Sequence, residues 1–236
     1  MPRFRSFFAT AAIISTVAIS PFTVRPLSAQ EKDLDRLTEA AAVFSEIMEA
    51  PDKGIPTDLL ESAHCIVIVP GLKKGAFIVG AKYGKGFVSC RQKTTGKWSA
   101  PGAIRVEGGS VGFQIGGSET DVVLLVMNDR GADRLLSSQF TLGGEGEVAA
   151  GPVGRNATAQ TDAKFRAEIL SWSRTRGVFA GISLQGATLR QDDDANRALY
   201  GKKIDNRAIV ETSMAAPPAA DRLLTMLNGY SPREKK

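Results

Sequence analysis

Residues 62 to 106 read SAHCIVIVPGLKKGAFIVGAKYGKGFVSCRQKTTGKWSAPGAIRV, with no Asp or Glu between Glu61 and Glu107. The runs His64 to Val69, Gly75 to Ala81 and Gly86 to Arg91 are short and rich in Val, Ile and Phe. Pro70-Gly71 and Gly84 punctuate them, which predicts successive strands, most simply a β-meander. The charge of the stretch is entirely positive: Lys73, Lys74, Lys82, Lys85, Arg91, Lys93, Lys97 and Arg105, with Phe77, Tyr83, Phe87 and Trp98 interleaved. In a meander most of these lysines fall in the connections and collect at strand ends as a basic rim that attracts anionic partners. The alternative for each lysine alone is a solvated turn residue.

Outward from this stretch, the chain continues in strands with glycine at every second to fourth position. Gly109 to Gly117 is followed by the apolar run Asp121 to Met127, and Glu145 to Gly154 and Gly177 to Gly186 repeat the small/large alternation. Glycines so placed mark bends and close backbone approach in a curled sheet. Trp98, Gly112, Gly116, Gly177 and Gly181 are therefore read as structural. Glu31 to Ala50 carries Leu34, Leu37, Ala41, Phe44, Ile47 and Met48 at helical spacing, a packing helix whose polar side is mostly acidic. Thr57 to Ser62, Asp129 to Ser138, Asp192 to Tyr200 and Asp205 to Glu211 read as short helices. The expected fold is α+β and β-dominated, a curled antiparallel sheet or barrel-like core with an N-terminal helix and short peripheral helices. The Ala/Pro-rich segment 213–236, with one short helical stretch from Asp221 to Asn228, is expected to be a mobile tail.

The chain has 236 residues, 43% hydrophobic and 23% charged, enough for one domain with a full core. Its formal charge of +5 falls to +2 without Arg3, Arg5 and Arg25, which excludes a generally basic, nucleic-acid-binding chain. Those arginines belong to a three-part N-terminus: Arg3 and Arg5, an apolar segment from Phe7 to Ile19, and Leu27-Ser28-Ala29 before a cut. Residues 1–29 are read as a signal peptide. The apolar run is shorter than the roughly 20 residues needed to span a bilayer. Export to the periplasm or beyond places Cys65 and Cys90 where a disulfide persists. From sequence the pair stays open between a bridge and two small buried thiols.

Motifs for catalysis fail on context. Gly108-Gly109-Ser110-Val111-Gly112 matches the nucleophile elbow by letter, but strand-like sequence follows it and His64, the sole histidine, precedes it. Gly80 to Gly86 lacks phosphate-loop spacing. Asp192-Asp193-Asp194-Ala195-Asn196 begins like a calcium loop, yet Arg197 and Lys203 stand where glycine and glutamate are required, and a helix cap explains the acids better. No catalytic residue, metal ligand or cofactor is expected, which favours a binding module.

Several segments together resemble the SYLF lipid-binding family. They are Pro56-Thr57-Asp58-Leu59-Leu60, Ile66 to Pro70, Gly84-Lys85-Gly86 with Arg91, Trp98 to Pro101, Gly112 to Gly116, Gly177 to Gly181, and Asn196 with Tyr200-Gly201. The resemblance spans about Leu34 to Val210 and places the domain at 30–212. It implies a mostly β, non-enzymatic module for anionic phospholipid, phosphoinositide in eukaryotic members, some of which are tied to actin. Those members begin with a basic amphipathic segment, whereas this chain has the signal and an acidic helix there. Actin is accordingly not expected as a partner. The expectation is an exported protein, peripherally associated with membranes, that binds anionic phospholipid through Lys73, Lys74, Lys82, Lys85, Arg91, Lys93 and Lys97 or through an apolar cavity. A cell-envelope scaffold or protein-interaction module is the alternative.

Overall fold

A computed structural model describes residues 29–50, 54–76, 79–111, 116–144, 148–151, 167–175, 178–179 and 184–232. Gly112, Gly177 and Gly181, like the signal segment up to residue 28, lie outside the described residues. Helix α1 (Ala29–Glu49) and the one-and-a-half-turn α2 (Thr57–Ser62) lead into β1 (Cys65–Ala76), β2 (Val79–Cys90), β3 (Gly102–Val111) and β4 (Gly116–Val126). After α3 (Asp129–Leu135) come five short strands: β5 (Gln139–Thr141), β6 (Val148–Ala150), β7 (Ile169–Thr175), β8 (Val178–Phe179) and β9 (Thr188–Gln191). Helices α4 (Asp193–Tyr200), α5 (Asn206–Glu211) and α6 (Asp221–Tyr230) complete the described elements, with a 3-10 turn at Pro218–Ala220.

The strands form one curled, open sheet in the order β5-β9-β3-β2-β1-β4-β7-β6, with β8 paired to β7. Its pairings are antiparallel except β6 with β7. The run Ile66-Val67-Ile68-Val69 is continuously apolar because the centre of the sheet is covered on both faces. Ile66 and Ile68 join Phe87, Val123, Leu125 and Trp172 beneath α1, α2 and α6. Val67 and Val69 join Val88, Ile104, Leu124, Phe140 and Leu189 on the opposite face, closed by Leu135 of α3 and Ile209 of α5.

One irregularity decides which side chains reach which face. Pro70-Gly71 is a bulge within β1, across which the register with β2 shifts between Ile68 and Lys73. Gly71 takes a positive φ of 56°, and its N–H donates to Asp121 Oδ1 at 3.0 Å. The extra residue inverts the alternation, so Leu72 is buried with Val69 and Lys73 emerges on the α1 side. The bulge needs room on the neighbouring strand. A Cβ at Gly86 would stand 2.1 Å from the carbonyl oxygen of Ile68. The turns expected at Pro70-Gly71 and at Gly84 are thus corrected to a bulge and the glycines that accommodate it. Of the strand expected from Gly75 to Ala81, Gly75 and Ala76 end β1 and Val79 to Ala81 begin β2, while residues 77 and 78 lie outside the described residues.

Residues 213–232 of the segment read as a mobile tail are described, and they are packed against the core. Leu223 and Leu227 are buried in the core beneath α1, and the rings of Phe44 and Tyr230 meet edge to face at 6.0 Å. Trp98, 4% exposed, holds this end down: its Nε1 donates to Ser231 Oγ at 3.0 Å and its N–H to Asn228 Oδ1 at 3.1 Å. Alanine and proline suit a short connection as well as a loose tail, and the Leu223/Leu227 pair at helical spacing was the signal for docking.

Candidate functional site

At the end of the sheet where β1 and β2 join, the polar side of α1 overhangs the strands and leaves an open cleft of about 1600 Å³. Helix α1 supplies Lys32, Asp33, Arg36, Glu39 and Glu46, and the strands supply Lys73, Tyr83, Lys85, Glu119, Asp121 and Arg174, among others. The bulge puts Lys73 there. In register, Lys73 faces Tyr83 on one side and Glu119 on the other, so the three stand side by side on adjacent strands, about 5 Å apart.

Much of the charge in the cleft is already engaged. Arg174 bridges Glu46 of α1 and Asp121 of β4, the latter at 3.0 Å. Burial opposes its charge, but the hydrogen bonds and charges of both carboxylates outweigh this and raise its pKa. Arg36 pairs with Asp33 at 2.5 Å. Lys85 Nζ meets Asp192 Oδ2 at 2.6 Å, and Asp192 is 2% exposed and also caps α4 through Ala195 N–H. None of Lys32, Lys73, Lys74, Glu39 and Glu119 is held in an ion pair among the described residues. Tyr83, 49% exposed, is the exposed large hydrophobic side chain among the described residues.

The single basic rim expected from sequence divides. Lys73, Lys74 and Lys85 line the cleft, but Lys85 is tied to Asp192. Lys82 lies opposite Lys74 in register and is 5% exposed; burial, then the charge of Lys74, lowers its pKa. Arg91 lies over the Trp98 ring at 4.1 Å and donates to the carbonyls of Gly96 and Leu60. Lys93 and Lys97 are exposed in the connection after β2, beyond Cys65 and so at least eight strand positions from Lys73, roughly 25 Å. Strand positions, where turns were expected, separate these cations. Lys32 and Arg36 were not among the expected site residues, because on its own the polar side of α1 reads as a solvated acidic surface; Arg174 of β7 was not, because no local pattern links it to the helix and strand that it bridges.

Cys65 and Cys90 face each other at the start of β1 and the end of β2 and are bridged. Ser110 lies within β3 in register with Gly80, a strand position without an elbow. Other positions that carried the family resemblance are structural: Tyr200 donates to the Pro101 carbonyl at 2.6 Å, and burial raises its pKa so that it stays a donor. Gly201 ends α4 with a positive φ of 69°.

A family model described as Ysc84: Las17-binding protein actin regulator matches residues 107–230. The chain belongs to the Ysc84 (SYLF) family. The Ysc84 match runs through α6, beyond the expected domain end at residue 212. The chain is similar to an SH3 domain-containing protein of Schizosaccharomyces pombe, 40% identical over 178 residues, which are 74% of this chain and 41% of the relative. It is 34% identical to the human SH3 domain-containing YSC84-like protein 1 over 199 residues, 82% of this chain and 58% of the relative. To LAS seventeen-binding protein 3 of Saccharomyces cerevisiae it is 33% identical over 207 residues, 86% and 44% of the two chains. The chain spans about half the length of the curated relatives it matches. These names correct the expectation that actin is an unsuitable partner. That expectation rested on the residues before the first strand, whereas the Ysc84 match lies in residues 107–230 and its description names an actin regulator.

Proposed function

We propose that this Ysc84-family chain is a non-enzymatic binding module that docks on anionic phospholipid through the cleft beneath α1. The observation that carries this reading is the group of cations Lys32, Lys73 and Lys74, which line the cleft without ion pairs among the described residues and are free to meet phosphate. Each contributes on the order of 1 kcal/mol at an anionic surface, an effect screened by salt. Replacing the three with Gln is expected to weaken co-sedimentation with phosphatidylglycerol vesicles roughly a hundredfold at low salt. The same change at exposed Lys202 and Lys203 is the control, with little effect expected. Equal binding by the triple variant and the parent would sink the cleft as the docking site. Lys82 and Lys85 are unsuitable for this test, since one is buried and the other holds Asp192.

A second reading has the relatives' names behind it: docking of a protein partner in an actin-regulating assembly. Binding to filamentous actin in a pelleting assay without lipid would favour it.

The lipid reading is compatible with an exported chain. The tripartite segment 1–29 and the Cys65–Cys90 bridge support an oxidising compartment as the place of action. Material recovered from the exported fraction is expected to begin near Gln30 and to show no titratable thiol before reduction. Recovery of the full chain with two free thiols would overturn export.

A further inference from the structure

We propose that the cleft selects a phosphate ester carrying an ammonium group, of the phosphoethanolamine kind, over a purely anionic phosphate. This rests on the cleft being the lipid-facing site and adds the chemical class of the head group. Three neighbouring side chains carry it. Lys73 is the cation, with Tyr83 and Glu119 as its direct cross-strand neighbours on β2 and β4. The Glu119 carboxylate lies over Gly71, where a Cβ would come within 2.5 Å of Oε1, and is exposed without an ion pair among the described residues. A purely anionic ligand on Lys73 would sit about one strand spacing, ~5 Å, from this carboxylate and be repelled by it. An ammonium on the same ligand turns that repulsion into attraction. The exposed ring of Tyr83 offers it a cation–π face on the other side. Glu39, across the cleft on α1 and likewise without an ion pair among the described residues, adds a second carboxylate for the same charge.

The test uses two soluble probes, glycerophosphoethanolamine and glycerol 3-phosphate, followed by amide shifts of the mature chain. The expected result is roughly tenfold tighter binding of glycerophosphoethanolamine, with shifts at Lys73, Tyr83 and Glu119. Glu119→Gln should abolish that preference while leaving glycerol 3-phosphate binding equal or stronger, and Lys73→Gln should weaken both. An unchanged melting temperature of each variant shows that the fold is intact. Vesicles separate the lipid from its soluble ester. Replacing part of the phosphatidylglycerol with phosphatidylethanolamine lowers surface charge, yet the parent should hold as tightly or more so, and Glu119→Gln should release. A preference seen only with the soluble probe keeps the chemistry and assigns a soluble ligand. If phosphatidylglycerol vesicles bind and the three lysines matter, but Glu119→Gln leaves head-group preference unchanged, this inference is overturned and the lipid reading stands. If neither vesicles nor probes bind, both fall.

Discussion

Trp98→Ala is expected to lower stability by about 3–5 kcal/mol, the range for removing a large buried aromatic side chain. The loss has two parts. The ring fills space between the sheet and α6 in the core that Phe44, Leu223 and Leu227 share, and deleting it leaves a cavity. Its Nε1 hydrogen bond also orients Ser231, whose hydroxyl in turn donates to the Leu227 carbonyl at 2.6 Å. Trp98→Phe separates the parts: most packing stays, and the lost hydrogen bond costs about 1 kcal/mol. Because Trp98 is the anchor of the C-terminal segment, hydrogen exchange in α6 should accelerate more in the alanine variant than exchange in β1. Thermal melts together with exchange decide this, and an unchanged melting temperature would mean that Trp98 is not a core residue.

What was legible in the sequence was periodicity. The stripe of Leu37, Ala41, Phe44 and Ile47 in α1, the acidic caps of α4 and α5, and the apolar run of β1 each follow from a local rule, and together they give an α+β, β-dominated fold. Phase was not legible. A Pro-Gly pair reads equally as a turn or as a bulge, and the choice inverts every side chain after it; the face on which Lys73 emerges is set by that inversion. Nor was the cleft itself legible, since it exists only once the polar side of α1 is laid over the end of the sheet. Arg174 and its two carboxylates are 53 and 128 residues apart in the chain, and no local pattern links them. The register of β1 with β2 likewise settles the two cysteines, which sequence left open.

The division of labour along the sheet follows from these placements. At the end carrying Cys65, Cys90 and Trp98, the buried serine hydroxyls are satisfied: Ser89 Oγ donates to the Ser99 carbonyl, and Ser99 Oγ accepts from Cys90 N–H. Of the segments that carried the family resemblance, Pro56 to Leu60, Arg91 and Trp98 to Pro101 lie at this end, whereas Pro70, Gly84 and Lys85 line the cleft. At the other end charged side chains remain accessible. The exposed positions at this end are carried by the bulged β1 and by strands tied to α1 through the Arg174 bridge.

The second large effect is expected at Asn196, which is 0% exposed and whose side chain makes three hydrogen bonds. Its Oδ1 accepts from Ala103 N–H at 2.8 Å, and its Nδ2 donates to Asn206 Oδ1 at 2.7 Å and to the Ile204 carbonyl at 3.3 Å. Asn206 closes the arrangement by donating from Nδ2 to the Ala103 carbonyl at 3.0 Å. Pairing of β3 with β9 begins at Ile104; just past β9 the Asp192 N–H still donates to the Ala103 carbonyl at 3.0 Å, and Asn196 takes the Ala103 N–H that the strand no longer reaches. Asn196→Ala leaves Ala103 N–H and Asn206 Oδ1 buried without these partners, at about 2 kcal/mol each, or about 4 kcal/mol in total. Asn196→Asp tests the same geometry with a sign. The new carboxylate would keep the Ala103 bond but face Asn206 Oδ1 and the Ile204 carbonyl with no proton to offer, and burial would raise its pKa above the unfolded value. Folding then favours the protonated form, so this variant should be most stable at acidic pH and lose stability as pH rises through the carboxylate range, a dependence absent from the parent at this position. Urea melts across that range measure it, and a flat profile for Asn196→Asp would show that the site is open to water rather than sealed by the two helices.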